Sequence, residues 1–385
     1  MTINIKKLWK IWKAWNLTKT MRDRRYIMKF IHTADLHLGS SFLSSSFDKN
    51  TAKERREDLF KAFNKLIAAC KKREADLLLI AGDLFEDELV RASDVNRIID
   101  GFKMIPEVKV VIAAGNHDYI HEKSFYKLLT FPKNVTIFDS DTLDKIEFDD
   151  INTCVYGLSF LKKHYEEDIL EVPELDYSKN NILVLHCDAI SKASDYLPID
   201  KNKLADSGFD YCALGHIHKS VKLSNNSVYP GSLEPLDFSE TGYHGYIYGE
   251  IVDKKVGVKL IKSNIKQFVS LDVNVTSMES LEEIINVIKT EAKIGLDKFL
   301  FRVNIEGTLS DLVKMEDIKT RLNEEFYYIE VIDSTTVDYN IAKIYAENKD
   351  NVIGHYMKAL KGKDDEIDME ALYLGLDALL NEGAK

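Results

Sequence analysis

Short apolar runs separated by helical stretches set the pattern from Met28 to about Ile265. Met28–Ile31, Asp76–Ala81, Lys109–Ala114, Asn181–Leu185 and Tyr211–Leu214 are continuous rather than alternating. Such runs are expected of strands covered on both faces. Between the first of them lie Ala52–Lys72 and Val90–Lys103, which read as helices. Thr153–Gly157, Tyr246–Val252 and Lys255–Ile261 read as additional strands. The order predicts a layered α/β domain over 28–265, built on a mixed sheet or on two stacked sheets.

From about Lys266 the pattern changes. Val269–Val275, Phe299–Ile305 and Tyr328–Ile332 read as strands, with amphipathic helices Leu281–Glu291 and Met315–Glu325 between them. A β-α-β-α-β order suits a small α+β domain over 266–339. Residues 340–385 read as helical. Val352, Tyr356 and Leu360 recur every four residues, and Met369, Leu372, Leu376 and Leu379 form a second stripe after the polar break Lys361–Asp368. These stripes either dock on their own domain or bind a partner.

Composition is that of an ordinary globular protein of 385 residues, long enough for two or three domains. No apolar run reaches the 18 residues or so of a membrane span. Cys70, Cys154, Cys187 and Cys212 are widely spaced and form no CxxC pair, which predicts reduced thiols in a cytoplasmic protein. The net charge is −11, but residues 1–27 carry +7, which leaves −18 on residues 28–385. So acidic a body is not a stand-alone DNA clamp, because phosphate contacts need clustered cations. Residues 1–27, with Trp9, Trp12 and Trp15 among lysines, read as a poorly ordered basic extension or a helix at a membrane surface. A signal peptide does not fit, since no apolar core or small-residue cleavage site is present.

The candidate chemistry follows the strands. Asp35-x-His37, Gly82-Asp83, Gly115-Asn116-His117-Asp118, His186 and Gly215-His216-x-His218 each come directly after an apolar run. Loops at the carboxyl ends of neighbouring strands converge on one crevice in open α/β sheets. In extended chain, residues i and i+2 point to the same side, so Asp35 and His37 can aim at one ion, and His216 and His218 can each serve one. Two divalent cations roughly 3.5–4 Å apart clamp a phosphate and activate a water. Asp83 is the candidate shared carboxylate, because Gly82 lets the backbone approach closely. Mixed nitrogen and oxygen donors suit Mn, Fe or Zn over Ca.

This set resembles the calcineurin-like metallophosphoesterase superfamily. His32-Thr-Ala-Asp-Leu-His-Leu-Gly39, Ala81-Gly-Asp-Leu-Phe85 and Tyr229-Pro-Gly-Ser232 resemble its DNA-repair nuclease branch, of the SbcD and YhaO type. The resemblance covers residues 28 to about 265 and implies a sandwich of mixed β-sheets flanked by helices. Residues 266–385 match in outline a capping domain and a helical segment that binds an SMC-like ATPase. It implies that Asp35, His37, Asp83 and His218 hold one ion, and that Asp83, Asn116, His186 and His216 hold the other. His117 would protonate or stabilise the leaving oxygen, with Asp118 orienting its ring. Two Mn²⁺ ions (Fe, Zn and Mg remaining open), cleavage of DNA phosphodiesters and dimeric assembly with the ATPase complete the expectation. One position departs. Relatives place His or Asp three residues after the shared aspartate, next to the scissile group; here it is Glu86, so cleavage polarity and end preference do not carry over.

Lys53, Arg55 and Arg56, opening the first helix, and Lys219 and Lys222, after the last histidine, are either phosphate contacts or a solvated face. Two other readings stand beside the DNA phosphodiesterase. One is a metallophosphoesterase acting on nucleotides or phosphoproteins, which the acidic body favours. The other is an architectural subunit with a residual metal site, which the intact ligand set disfavours.

Overall fold

A computed structural model describes residues 27–42, 47–310, 312–337, 339, 341–360 and 366–381. The basic segment 1–27, apart from Ile27, and the break at 361–365 lie outside the described residues. The chain divides into two compact units at Ile265/Lys266.

The first unit runs β1 (Met28–Thr33), α1 (Lys49–Lys72), β2 (Leu77–Ala81), α2 (Ala92–Lys103), β3 (Lys109–Ala113), a single turn α3 (Phe125–Leu128), β4 (Val135–Phe138), β5 (Asp144–Phe148), β6 (Thr153–Gly157), β7 (Asn180–His186), α4 (Lys201–Ala205), β8 (Tyr211–Gly215), β9 (Val221–Lys222), β10 (Ser227–Tyr229), β11 (Gly245–Val252) and β12 (Lys255–Lys262). Two six-stranded mixed sheets result, ordered β12-β11-β1-β2-β3-β4 and β5-β6-β7-β8-β10-β9. Strands β1 to β4 are parallel to one another, and so are β6 to β8. β11 and β5 run antiparallel at the flanks.

The continuous apolar runs now have their reason. Alternate residues point to opposite faces of a sheet. Phe30, Leu77, Leu79, Val111, Ile182, Val184, Tyr211 and Ala213 fill the space between the sheets. Leu78, Ile80, Val110 and Ile112 face the other way, beneath Leu59, Phe63 and Leu66 of α1 and Ile98 and Phe102 of α2. Leu183, Leu185, Cys212 and Leu214 line the opposite outer layer. Cys187 belongs to that layer, buried.

Helix α1 begins at Lys49, earlier than its apolar period indicates. Asp48 caps it, its carboxylate accepting from the Asn50 and Thr51 amides at 2.7 and 3.1 Å. Arg55 is fully buried, which overturns its reading as a DNA contact. Its guanidinium donates to Asp58 (3.2 Å), Glu234 (3.0 Å) and the Pro235 carbonyl (2.7 Å), tying α1 to a loop far along the chain. Arg56 is also committed, to Asp94 at 2.6 Å and the Ser40 carbonyl at 3.3 Å. Replacing Arg55 by Ala takes the guanidinium from buried Glu234, which keeps the Ile265 amide at 2.5 Å, whereas Asp58 keeps Lys61 at 2.7 Å. The expected cost is about 3 kcal/mol, at the low end for a broken buried ion pair. Denaturant unfolding followed by circular dichroism checks it.

The second unit runs β13 (Phe268–Asn274), α5 (Leu281–Ala292), β14 (Leu300–Leu309), α6 (Met315–Glu325), β15 (Tyr328–Val337) and helices α7 (Ile341–Glu347), α8 (Val352–Leu360) and α9 (Glu366–Asn381). Its three strands are all parallel in the order β13-β14-β15. Ile284, Ile285, Ile288, Ile318 and Leu322 of the crossover helices cover Val303 and Ile305 of the central strand. The terminal helices pack on one another through Met357, Leu372 and Leu376, with Ile353, Tyr356 and Leu360 alongside. Val352 does not share that face, contrary to what its four-residue spacing predicts; it opens the helix and is 66% exposed. The buried stripe is set by Ile353, Tyr356, Met357 and Leu360, at i, i+3, i+4 and i+7.

Candidate active site

The five motif-bearing loops leave the carboxyl ends of β1, β2, β3, β7 and β8 and meet between the two sheets. Backbone bonds stitch the first two together: the Asp35 amide donates to the Gly82 carbonyl at 3.1 Å, and those of Leu36 and His37 to the Asp83 carbonyl at 2.9 and 3.0 Å. Asp35, His37, Asp83 and His216 all hold positive φ (52°, 45°, 51° and 108°). Non-glycine residues rarely adopt that conformation, and its concentration here marks backbone strain at a functional site. Two glycines clear the space. A Cβ on Gly82 would lie 2.2 Å from His186 Nδ1, and one on Gly115 2.3 Å from Asp83 Oδ1.

Three overlapping groups of side chains have ligand atoms within 4.8 Å of one another: Asp35, His37 and His218; His37, Asp83 and His117; Asp35, Asp83 and His186. Asp83 Oδ2 lies 3.4 Å from His186 Nε2 and 3.8 Å from His37 Nε2. Asn116 Oδ1 sits 2.9 Å from His186 Nε2. The His216 ring is 5.4 Å from that of His186, and its main-chain amide donates to Asp35 Oδ1 at 3.0 Å. Asp35 and Asp83 are fully buried and face imidazoles. Burial pushes the Asp35 carboxyl above its usual range, against the charges of His218, His186 and His37. Two buried carboxylates among imidazoles and an amide form a donor set that fits divalent metal.

Carboxylates and a carbonyl hold the far side of three of these rings. Glu86 Oε1 takes His37 Nδ1 at 2.6 Å, Glu240 Oε1 takes His218 Nδ1 at 2.6 Å, and the Ala81 carbonyl takes His186 Nδ1 at 3.0 Å. Such partners fix the tautomer so that Nε2 faces the metal position. The Tyr229–Ser232 motif serves the same end: the Ser232 hydroxyl donates to Glu240 Oε2 at 2.6 Å, and its amide to the His218 carbonyl at 2.9 Å. Burial alone would lower the His218 pKa, but the Glu240 hydrogen bond and the Asp35 charge override it and raise it to about 9. Burial and the His186 charge bring His216 down to about 4.

His117 differs. It is the exposed member of its group, and its ring reaches Glu86 Oε2 through Nδ1 at 2.9 Å. Burial lowers its pKa, but the Glu86 bond and the Asp83 charge raise it to about 9. Asp118 does not orient this ring. Its carboxylate accepts from the amides of Gly115 (2.7 Å), Leu84 (2.8 Å) and Asp83 (3.1 Å) and from the Tyr126 hydroxyl (2.6 Å). It locks two site loops together, and Glu86 orients the ring.

The family Calcineurin-like phosphoesterase matches residues 28–220, which contain all five loops. The chain belongs to that family. Its members are metal-dependent phosphoesterases with a dinuclear centre, and the clustered donors fit one. Among curated relatives, the metallophosphoesterase YhaO of Bacillus subtilis (strain 168) is 27% identical over 68% of this chain and 67% of its own length. The DNA double-strand break repair protein Mre11 of Methanocaldococcus jannaschii is 28% identical over 68% of this chain and 73% of its own. TT1561 of Thermus thermophilus, a solved structure, aligns at 12% identity and a TM-score of 0.35 over 61% of this chain and 99% of that one. Among the described residues of this phosphoesterase, no helix is long and apolar enough to cross a membrane.

Of the remaining sequence candidates, Lys53 and Lys219 are exposed, as is Lys222. Asp188 and Glu240 were not among them. Asp188 Oδ2 lies 3.9 Å from His216 Nε2. Its place two residues after His186 repeats the i, i+2 spacing and could have flagged it. Glu240, 22 residues from His218, carries no local signal.

Proposed function

We propose that this phosphoesterase is a two-metal-dependent DNA phosphodiesterase, a nuclease of DNA repair, which uses Mn²⁺ and works as a dimer with an SMC-like ATPase in the cytoplasm. The observation that carries the reading is the clustering of Asp35, His37, Asp83, His186 and His218, with Asn116 and His216 against it and His117 at its exposed side. Asp35, His37, Asp83 and His218 would hold one cation; Asp83, Asn116, His186 and His216 would hold the other. The position of Asp83 Oδ2, between His37 and His186, supports its being shared. When bound, the pair supplies Lewis acidity and a water of lowered pKa. His117, tied at Nδ1, holds a proton at Nε2 for the departing sugar oxygen.

The relative named for double-strand break repair supports DNA as substrate, and the exposed Lys53 and Lys219 offer phosphate contacts. Val352 and Leu374, 66% and 67% exposed, leave apolar surface on the terminal helices for the ATPase. The test is hydrolysis of blunt, overhanging and single-stranded DNA by the purified chain, with Mn²⁺ or EDTA. Mn²⁺-dependent release of nucleotides is expected. Metal binding with all DNA left intact, with and without the ATPase, overturns the reading. The charge of −18 on residues 28–385 favours a second reading, hydrolysis of nucleotides or phosphoproteins. Turnover of those substrates with intact DNA would select it.

A further inference from the structure

We infer that Glu86 is a positioning residue that holds two imidazoles of different function, His37 and His117, through the two oxygens of one carboxylate. The inference rests on the metal-site reading above and deepens it. The family resemblance implies that residue 86 lies beside the scissile group, where its chemistry would bear on the substrate. The structure gives its oxygens other work. Oε1 lies 2.6 Å from His37 Nδ1 and Oε2 2.9 Å from His117 Nδ1. The two rings stand edge to face, 4.8 Å apart. The Glu86 side chain is only 17% exposed.

Its backbone makes the same connections. The Glu86 amide donates to the Leu38 carbonyl at 3.1 Å, and the next amide, of Asp87, donates to the His117 carbonyl at 3.1 Å. Residues 86 and 87 thus join the loop after β1 to the loop after β3, and the side chain joins the rings those loops carry.

An ionised carboxylate can only accept, so each Nδ1 facing it must be the donor. That assigns the proton of His37 to Nδ1. Its Nε2 lone pair is left directed at the cluster, 3.0 Å from His218 Nε2 and 3.8 Å from Asp83 Oδ2. For His117 the same constraint keeps Nδ1 protonated, so Nε2, which faces away from Glu86, carries a proton when the ring is imidazolium. A histidine at position 86 could offer one acceptor nitrogen, not two. Glutamate is the residue that satisfies both rings at once, and this accounts for its presence here without any contact to substrate.

The tests separate this role from a structural one. Glu86→Gln keeps the shape but has one acceptor oxygen and one donor amide. It can take the Nδ1–H of one ring only, and the other ring must move its proton to Nε2. Glu86→Asp keeps the charge but is one methylene too short to span both. In metal-free, ¹⁵N-histidine-labelled full-length protein, the nitrogen shifts of His37 (assigned with His37→Ala) should report Nδ1–H in the wild type and a changed tautomer population in Glu86→Gln. Both variants should bind Mn²⁺ about 10–100-fold more weakly by calorimetry, the range for removing a ligand's outer hydrogen-bond partner. In a His117→Ala background the weakening by Glu86→Gln should shrink, because the single carbonyl oxygen of the amide is then available to His37 alone.

A wild-type His37 protonated at Nε2 overturns the inference on its own, even if the variants fail to fold. So does a Glu86→Gln protein with wild-type nitrogen shifts and Mn²⁺ affinity. If Glu86→Gln shifts the tautomer but the wild type hydrolyses no phosphodiester, the catalytic reading falls and the positioning role stands.

Discussion

Asp83→Asn should lower metal-dependent turnover by at least about 10⁴-fold, because a shared carboxylate supports the several kcal/mol of charge stabilisation that two cations supply. It should do so without harming the metal-free fold. Asparagine matches the shape and tolerates the left-handed φ of 51° that this position holds. Its carbonyl oxygen can still accept the His117 amide, which donates to Asp83 Oδ1 at 2.9 Å. What disappears is charge. Asp83 raises the pKa of both Asp35 and Asp118, so removing it relieves repulsion among buried carboxylates. It also removes attraction to His186 and His37. The two effects oppose, and the metal-free melting temperature should stay near the wild-type value. The contrast appears on adding Mn²⁺. A cation at 100 times its Kd stabilises the wild type by about 2.7 kcal/mol, and that gain should vanish in the variant. Melting curves with and without Mn²⁺, beside hydrolysis of a phosphodiester, read both quantities. Turnover above about a hundredth of wild type would show that Asp83 is not shared between two cations.

The crevice could be read from the sequence because each donor is local to its strand. An unbroken apolar run fixes a strand with two buried faces, and the residues just past its end have nowhere to go but the sheet's carboxyl edge. Asp35, Asp83, Asn116, His186 and His218 follow from that rule alone. The edge strands β4 and β5 escaped it. They are four and five residues long, and β5 is largely exposed, so neither carries a continuous run. The groups that support the donors escaped for a different reason. Glu86 meets His117 across 31 residues, and Arg55 meets Glu234 across 179. No periodicity links such pairs. Arg55 on its helix reads like any solvated cation until the loop that buries it is known, and Asp118 beside His117 in sequence turns its carboxylate to three backbone amides instead.

His117→Ala should separate proton transfer from metal binding through the leaving group. On DNA the departing group is a sugar alkoxide, a strong base that needs a proton as the bond breaks; loss of a positioned acid should slow it by about 10²–10⁴-fold. On bis(p-nitrophenyl) phosphate the departing phenolate is a weak base, and by Brønsted reasoning the same substitution should cost less than about tenfold. The substitution is clean at the site. The His117 bond to Asp83 comes from the main chain and survives, and Glu86 keeps His37 through its other oxygen. Mn²⁺ affinity should therefore stay close to the wild type, in contrast with Glu86→Gln. An equal loss on both substrates, together with weaker Mn²⁺ binding, would make His117 a ligand rather than an acid. The proximity of His117 to His37 and Asp83 makes that a fair alternative to test. Its exposure and its bond to Glu86 favour the acid. A ring held at one nitrogen by a carboxylate and open to solvent at the other can collect a proton between turnovers, whereas the buried rings of His37 and His186 are closed to bulk water.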